Sequence, residues 1–226
     1  MSGQNKINRR RFLALTGGAV GVTALACCGL TVLGTRQPAV EFNESVCGGE
    51  NDMSDKILVA YASGCGSTGE VAEAVGQALC EAGAAVDVRL AKNVTDVSPY
   101  RAVIVGSAIR MGRWLPEAVQ FVETHREPLS RVPVAYFLGC MTLEDDTEEN
   151  RRTVAAYLDP VREIVQPVDV GLFAGAMDYS KLSFIFRMMM KMMGTPEGDF
   201  RDWESIRAWA DGLRPALLGV SIGGNV

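Results

Sequence analysis

Between Ser63 and Gly69 the chain reads S-G-C-G-S-T-G, three hydroxyls and three glycines in seven residues. Two chemistries fit those types at that spacing. Gly64, Gly66 and Gly69 form G-x-G-x-x-G, in which glycines let a turn approach the pyrophosphate of a dinucleotide. Ser63, Ser67 and Thr68 read instead as S-x-x-G-S-T, a hydroxyl-rich cradle for one terminal phosphate, which carries close to two charges at neutral pH. The first reading asks for an acid near the end of the second strand to hold a ribose, and Asp87 is available. The second asks for many donors and finds them with no cation in the loop. The triphosphatase loop G-x-x-x-x-G-K-[ST] is excluded, because Glu70 stands where its lysine would be.

Other reactive side chains are few. His125 is the single histidine, which rules out a multi-histidine metal centre and a Ser-His-Asp set at the loop; it is expected on the solvated surface. The cysteines Cys27, Cys28, Cys47, Cys65, Cys80 and Cys140 contain no C-x-x-C pair. A chain of 226 residues needs no disulfide framework to build its core, so Cys80 and Cys140 are expected as buried thiols. Cys65 lies at a helix start, where a thiol pKa can fall; its alternative role is a small residue whose amide helps to hold phosphate.

The elements that must position this loop follow from hydrophobic patterning. Lys56–Ala62, KILVAYA, is a continuous apolar run, as in a parallel strand covered on both faces. Residues 67–82 place apolar side chains at helical spacing, and Gly83 stops the helix. Strands are expected at 84–90, 101–109, 132–139 and 168–177, and helices at 116–124, 147–164 and 202–213. Alternating strands and helices predict an α/β fold, a doubly wound five-stranded parallel sheet in the order 2-1-3-4-5. The ligand crevice then lies at the carboxyl ends of strands 1 and 3, lined by residues 63–68, 107–114 and 139–147. Five strands and three clustered hydroxyls favour the single phosphate over the dinucleotide.

On these residues the body, about 56–215, resembles the flavodoxin family. The family's phosphate loop, T/S-x-x-G-x-T, maps onto Ser63, Gly64, Cys65, Gly66, Ser67 and Thr68. The segment Gly106-Ser107-Ala108-Ile109-Arg110-Met111-Gly112 is similar to the G-x-x-I-R-x-G of the menaquinone-dependent protoporphyrinogen dehydrogenase branch, as are a late Met-rich stretch and the pair Asp202-Trp203. The resemblance implies FMN as cofactor. Ser107, Ala108, Ile109, Arg110, Met111 and Gly112 would line one face of the flavin ring, and Gly139, Cys140, Met141 and Thr142 the other. Trp114 would either stack on the ring or pack at a helix start. Arg110 would sit near the N1/C2 edge of the ring, opposed by Glu144, Asp145 and Asp146.

The front of the chain departs from that branch. Residues 8–13, NRRRFL, resemble a twin-arginine export signal, and Phe12–Gly34 carries no charge. Residues 1–34 are therefore expected to be a signal, cleaved after Ala24-Leu25-Ala26, or an uncleaved anchor helix. Residues 35–55 read as a linker and 216–226 as a C-terminal tail. Export predicts the extracytoplasmic face of the membrane or the periplasm. Beyond residue 11 the chain holds 18 basic and 27 acidic side chains, a balance of −9, which argues against a nucleic-acid partner.

Residues 178–200 hold five of the ten methionines. Leu182–Met193 as a helix is too short to cross a bilayer. It would lie in a membrane interface with Ser183, Arg187 and Lys191 as a polar stripe, dock a quinone or redox partner, or cover the sheet edge as core. The function expected is a flavin redox protein acting at or near the membrane. The alternatives are a quinone-dependent protoporphyrinogen dehydrogenase and a non-redox interaction module on the same fold; an NAD-dependent dehydrogenase is the weakest reading.

Overall fold

The computed structural model describes residues 42, 44–48 and 56–218; the export segment, its cleavage site and the last eight residues lie outside them. Five parallel strands form the centre of the sheet: β2 (Lys56–Ala62), β3 (Ala85–Leu90), β4 (Ala102–Arg110), β6 (Val134–Cys140) and β7 (Asp169–Ala174); two short antiparallel strands bring it to seven, where the sequence predicts five. Their order is β3-β2-β4-β6-β7, the 2-1-3-4-5 arrangement of the parallel set.

Alternation along each strand sends side chains to two cores. Ile57, Val59 and Tyr61 of β2 meet Val71, Val75 and Leu79 of α1 (Ser67–Glu81) and Ile206, Ala210 and Leu213 of α7 (Trp203–Leu218). Leu58, Ala60 and Ala62 face the other way. They join Ala118, Phe121 and Val122 of α2 (Pro116–Thr124), Leu129 of α3 (Arg126–Leu129), Val154 of α4 (Glu148–Ala156) and Val161 of α5 (Asp159–Arg162). Helices thus cover both faces, which is why the strands read as unbroken apolar runs. In the middle of the sheet Gly106 of β4 lies opposite Phe137 of β6. A Cβ on Gly106 would fall 2.0 Å from Phe137 Cζ, so glycine is what lets the ring lie across the neighbouring strand.

Several features differ from the sequence reading. The expected helix over 147–164 is two helices, because Pro160 has no N–H to continue the ladder and its ring displaces the preceding turn. The strand expected to run from 168 to 177 stops at Ala174. Gly175 N–H donates to Cys140 O, and β8 (Ala176–Met177) leaves the main sheet to pair with β9 (Gly198–Asp199). The last helix continues to Leu218, so the start of the expected tail is helical. His125 is buried, its ring tilted 4.9 Å from that of Phe121, at the junction where α2 ends and α3 (Arg126–Leu129) begins.

Within the segment read as a linker, β1 (Ser45–Cys47) pairs antiparallel with β3, outside the parallel set. Glu44 fixes its start: its Oε1 accepts from Leu90 N at 3.0 Å and from Asn93 Nδ2 at 3.1 Å. Cys47 is disulfide-bonded to Cys80 of α1, with Cα atoms 6.2 Å apart at a sequence separation of 33. Cys80 is thus a bridged cysteine on a half-buried face, not a free buried thiol. Closing a loop of this length is worth about 3–4 kcal/mol through the entropy of the unfolded chain. Replacing both cysteines by serine is expected to lower the denaturant midpoint accordingly. Equal midpoints for wild type and double variant, both under oxidising conditions, would show that the bridge does not hold the fold.

The chain divides into two compact units, residues 179–195 falling outside the α/β body. In this segment α6 (Phe184–Met192) has no fully buried residue. Phe184, Ile185, Met188 and Met192 are exposed at i, i+1, i+4 and i+8. Arg187 is half-buried and donates from Nη2 to Leu182 O at 3.4 Å, and Lys191 Nζ lies 5.3 Å from the Tyr179 ring centroid. The exposed face is therefore apolar, and the expected polar stripe is partly turned in. Among the described residues no helix is long and apolar enough to cross a membrane.

Candidate functional site

The sheet register places the carboxyl ends of three strands side by side: Ala62 is opposite Ser107, and Ala108 opposite Gly139. The three segments singled out in the sequence are thereby neighbours. The first runs from the end of β2 into α1. Ser63 Oγ accepts from Gly66 N at 2.9 Å, which closes the loop on itself. Gly66 is the N-cap of α1, in the left-handed region at φ 91, and no side chain caps the helix. Gly69 N and Glu70 N donate to Gly66 O. The amides of the first turn thus point out of a helix start that no side chain of the protein caps, which is an anion-binding geometry. Thr68 is buried within it, and Cys65 is a half-buried cysteine outside the disulfide.

A cation from another strand lies against the loop. A Cβ on Gly64 would lie 2.7 Å from Arg110 Nη2, so the Arg110 guanidinium sits against the loop. Arg110 is the last residue of β4, and its side chain reaches back to Gly64. The segment 107–112 is strand and tight turn rather than loop. Ala108, Ile109 and Arg110 belong to β4, which pairs with β5 (Arg113–Trp114) through the two-residue turn Met111-Gly112. Both turn residues have positive φ, 52 and 72, as a type I′ hairpin requires. Met111 is 85% exposed at its tip. Ser107 is committed internally: its hydroxyl donates to Ala108 O and accepts from Leu115 N.

Trp114 packs at the helix start rather than presenting a face to the crevice. Its ring is buried, edge-on to Tyr136 at 5.4 Å. Tyr157 instead lies under the hairpin turn, 3.3 Å from where a Cβ on Gly112 would be. In the third segment Gly139 and Cys140 end β6, and Met141 and Thr142 open a 3-10 turn over Met141–Glu144. Open space surrounds the position of a Gly139 Cβ, while Met141 Sδ abuts Gly175. Of the three acids expected to oppose Arg110, Asp146 is paired with Arg151, which holds its carboxyl below the usual range. Asp87, the ribose candidate, is buried and bonded to Tyr100 Oη (2.9 Å) and Lys56 Nζ (3.4 Å). Burial first, and then the bond to Asp87, push the Tyr100 hydroxyl up to about 12.

One residue at the site had no signal in the sequence. Arg201 is brought to the first turn of α1 from 131 residues away and donates from Nη2 to Glu70 Oε2 at 2.8 Å. Its Nη1 donates to Ser67 O at 3.0 Å, and Nε and Nη2 grip Asp199 at 2.7 Å each. The guanidinium stacks over Trp203, 4.4 Å from the ring centroid. Burial works against its charge, but the bonds to Asp199 and Glu70 outweigh that and raise its pKa. The same bonds depress the Asp199 carboxyl. Stability from Asp199 is then complete above the ordinary carboxylate pKa, about 4, and is lost as the pH falls through the lowered value. Asp199→Asn is expected to flatten the acid limb of Tm against pH below about pH 4; an unchanged limb would show that the pair adds nothing.

Residues 58–203 match the family model of the flavodoxin domain. The quinone-type protoporphyrinogen IX dehydrogenase of Leishmania major is 26% identical over 188 residues, covering 74% of this chain and 78% of the relative. That of Escherichia coli K12 is 25% identical over 169 residues, covering 69% and 92%. Among solved structures, a short-chain flavodoxin associated with a non-canonical PDU bacterial microcompartment aligns with TM-score 0.49 at 14% identity, over 72% of this chain and 98% of that one. A flavoprotein from Lactobacillus acidophilus in complex with FMN aligns with TM-score 0.41 at 13% identity, over 52% and 93%. With the match to the family model spanning well over half its length, this chain belongs to the flavodoxin domain family.

Proposed function

We propose that the protein binds FMN and transfers electrons at or near a membrane. Family membership implies a flavin cofactor, and the residues fit one with a terminal phosphate. The observation that carries the reading is the uncapped start of α1, entered by a loop that Ser63 closes and that Arg110 abuts. The amides of Ser67 and Thr68, with their hydroxyls, would hold the phosphate, and Arg110 would offset its charge. The hairpin at Met111-Gly112 and the turn from Gly139 to Thr142 would flank the ring. The flavin supplies the redox chemistry when bound; the chain binds it, orients it and limits its contact with water. Full-length protein purified under mild conditions should be yellow and release FMN on heating. A colourless protein that also refuses added FMN removes this reading.

The site of action is proposed on two grounds. The twin-arginine pattern lies in residues 1–34, and the Cys47–Cys80 bridge is of the kind that persists in oxidising compartments. The exposed apolar face of α6 supports contact with a membrane interface or a redox partner. A second reading, quinone-dependent oxidation of protoporphyrinogen, is favoured by the two curated relatives. Anaerobic turnover with a menaquinone analogue decides it: no turnover with flavin fully bound leaves electron transfer to another acceptor.

A further inference from the structure

We infer that Arg201 is a positioning residue for the phosphate site, aiming the Thr68 amide and cancelling the charge of Glu70. The inference rests on the FMN reading above, but its geometry stands apart from it. Ser67 C=O and Thr68 N–H belong to one peptide unit, planar and trans, so the two groups point in opposite directions. Arg201 Nη1 holds that carbonyl at 3.0 Å from inside the protein. Fixing the oxygen fixes the N–H, directed out of the helix start toward an incoming anion. A charged donor on the carbonyl also polarises the peptide and makes its N–H the stronger donor.

The second part of the role is electrostatic. Glu70 occupies the first turn of α1, where its charge suits the helix dipole but repels a phosphate dianion. Arg201 bonds Glu70 and Asp199 from a side chain only 6% exposed. Trp203 stacks on the guanidinium and keeps it flat. Lysine has neither the planar fork nor the reach to serve Ser67 O and both carboxylates together. Asp199 belongs to β9, paired with β8 on either side of residues 179–195 in the chain. The grip on Ser67 therefore runs through the strand pair where that segment leaves and re-enters the body.

The test compares FMN with riboflavin, which has the same ring and no phosphate. In Arg201→Met the dissociation constant for FMN is expected to rise about tenfold or more, by loss of a charged hydrogen bond and exposure of Glu70. Riboflavin affinity should not change. Adding Glu70→Gln to that variant should recover part of the FMN loss, and Arg201→Lys should fall between wild type and Arg201→Met. If Arg201→Met does not fold, Arg201→Lys alone decides. FMN and riboflavin affinities that shift together, or an unshifted FMN affinity in Arg201→Lys, would overturn the proposal. The carbonyl carbon-13 shift of Ser67 in flavin-free protein provides a readout independent of the cofactor: it should move upfield in both variants as the hydrogen bond from Arg201 is lost or weakened, and an unchanged shift counts against the proposal. Wild-type protein that takes up no flavin sinks the FMN reading, and the shift measurement then decides the role of Arg201 by itself.

Discussion

Thr68→Glu is expected to abolish FMN binding while leaving the body folded. Thr68 is the second residue of α1 and is 3% exposed. A carboxylate there points into the same turn whose amides receive the phosphate. Like charges about 4 Å apart at an effective dielectric near 20 repel by ~4 kcal/mol per unit pair, and the ester carries nearly two charges. The dissociation constant should therefore rise by at least ~1,000-fold. A glutamate in the first turn suits the helix dipole, which offsets part of the cost of placing a carboxylate at a buried position; far-ultraviolet circular dichroism checks that the variant is folded. Thr68→Val separates charge from hydroxyl, and should cost about tenfold at most. Fluorescence titration with FMN and with riboflavin measures all of these. FMN binding in Thr68→Glu within tenfold of wild type would mean that the phosphate lies elsewhere.

A stability effect on the scale of losing the Cys47–Cys80 bridge is expected at Gly106. Overpacking a core costs 1–3 kcal/mol in ordinary cases, and Gly106→Ala should reach the top of that range, about 3 kcal/mol. The new methyl would overlap Phe137, whose ring is fully buried and hemmed in by Phe173 and Trp209, with ring centroids at 6.3 and 6.2 Å. Neither strand can back away, because β4 and β6 are paired along their length between β2 and β7. Phe137→Leu in the same chain makes room, so the double variant should be more stable than the sum of the two single changes predicts. Urea denaturation measures the coupling. A midpoint for Gly106→Ala equal to wild type would show that the ring has space to move.

Much of this architecture could be read from patterning, and the reasons differ by element. Lys56–Ala62 and 67–81 are unmistakable because burial on both faces, followed by a helical period, leaves a strong local signal. The hydroxyl loop was legible for the same reason: all its parts lie within one turn of chain. Arg110 was legible as a residue at the carboxyl end of the third strand, but its contact with Gly64 was not, since sequence spacing cannot tell which way a strand aims its last side chain. Trp114 left two readings open, and the side it faces is set by its pairing with Ile109, a contact absent from local pattern. His125 was misjudged because charged neighbours indicate exposure only where the chain runs along the surface. Arg201 was invisible, as its partners Ser67 and Glu70 are brought to it by tertiary folding alone. The Cys47–Cys80 bridge was missed in the same way: β1 is three residues long, too short for any period to show.

That short strand also decides what the sheet presents at its rim. With Glu44 bonded to Leu90 and Asn93 and Cys47 bridged to Cys80, β1 covers the outer side of β3, so the sheet ends on three residues rather than six. A rim that short offers an incoming strand few unpaired amides and carbonyls. Were the bridge reduced and β1 released, the whole of β3 would become the template for strand-to-strand aggregation.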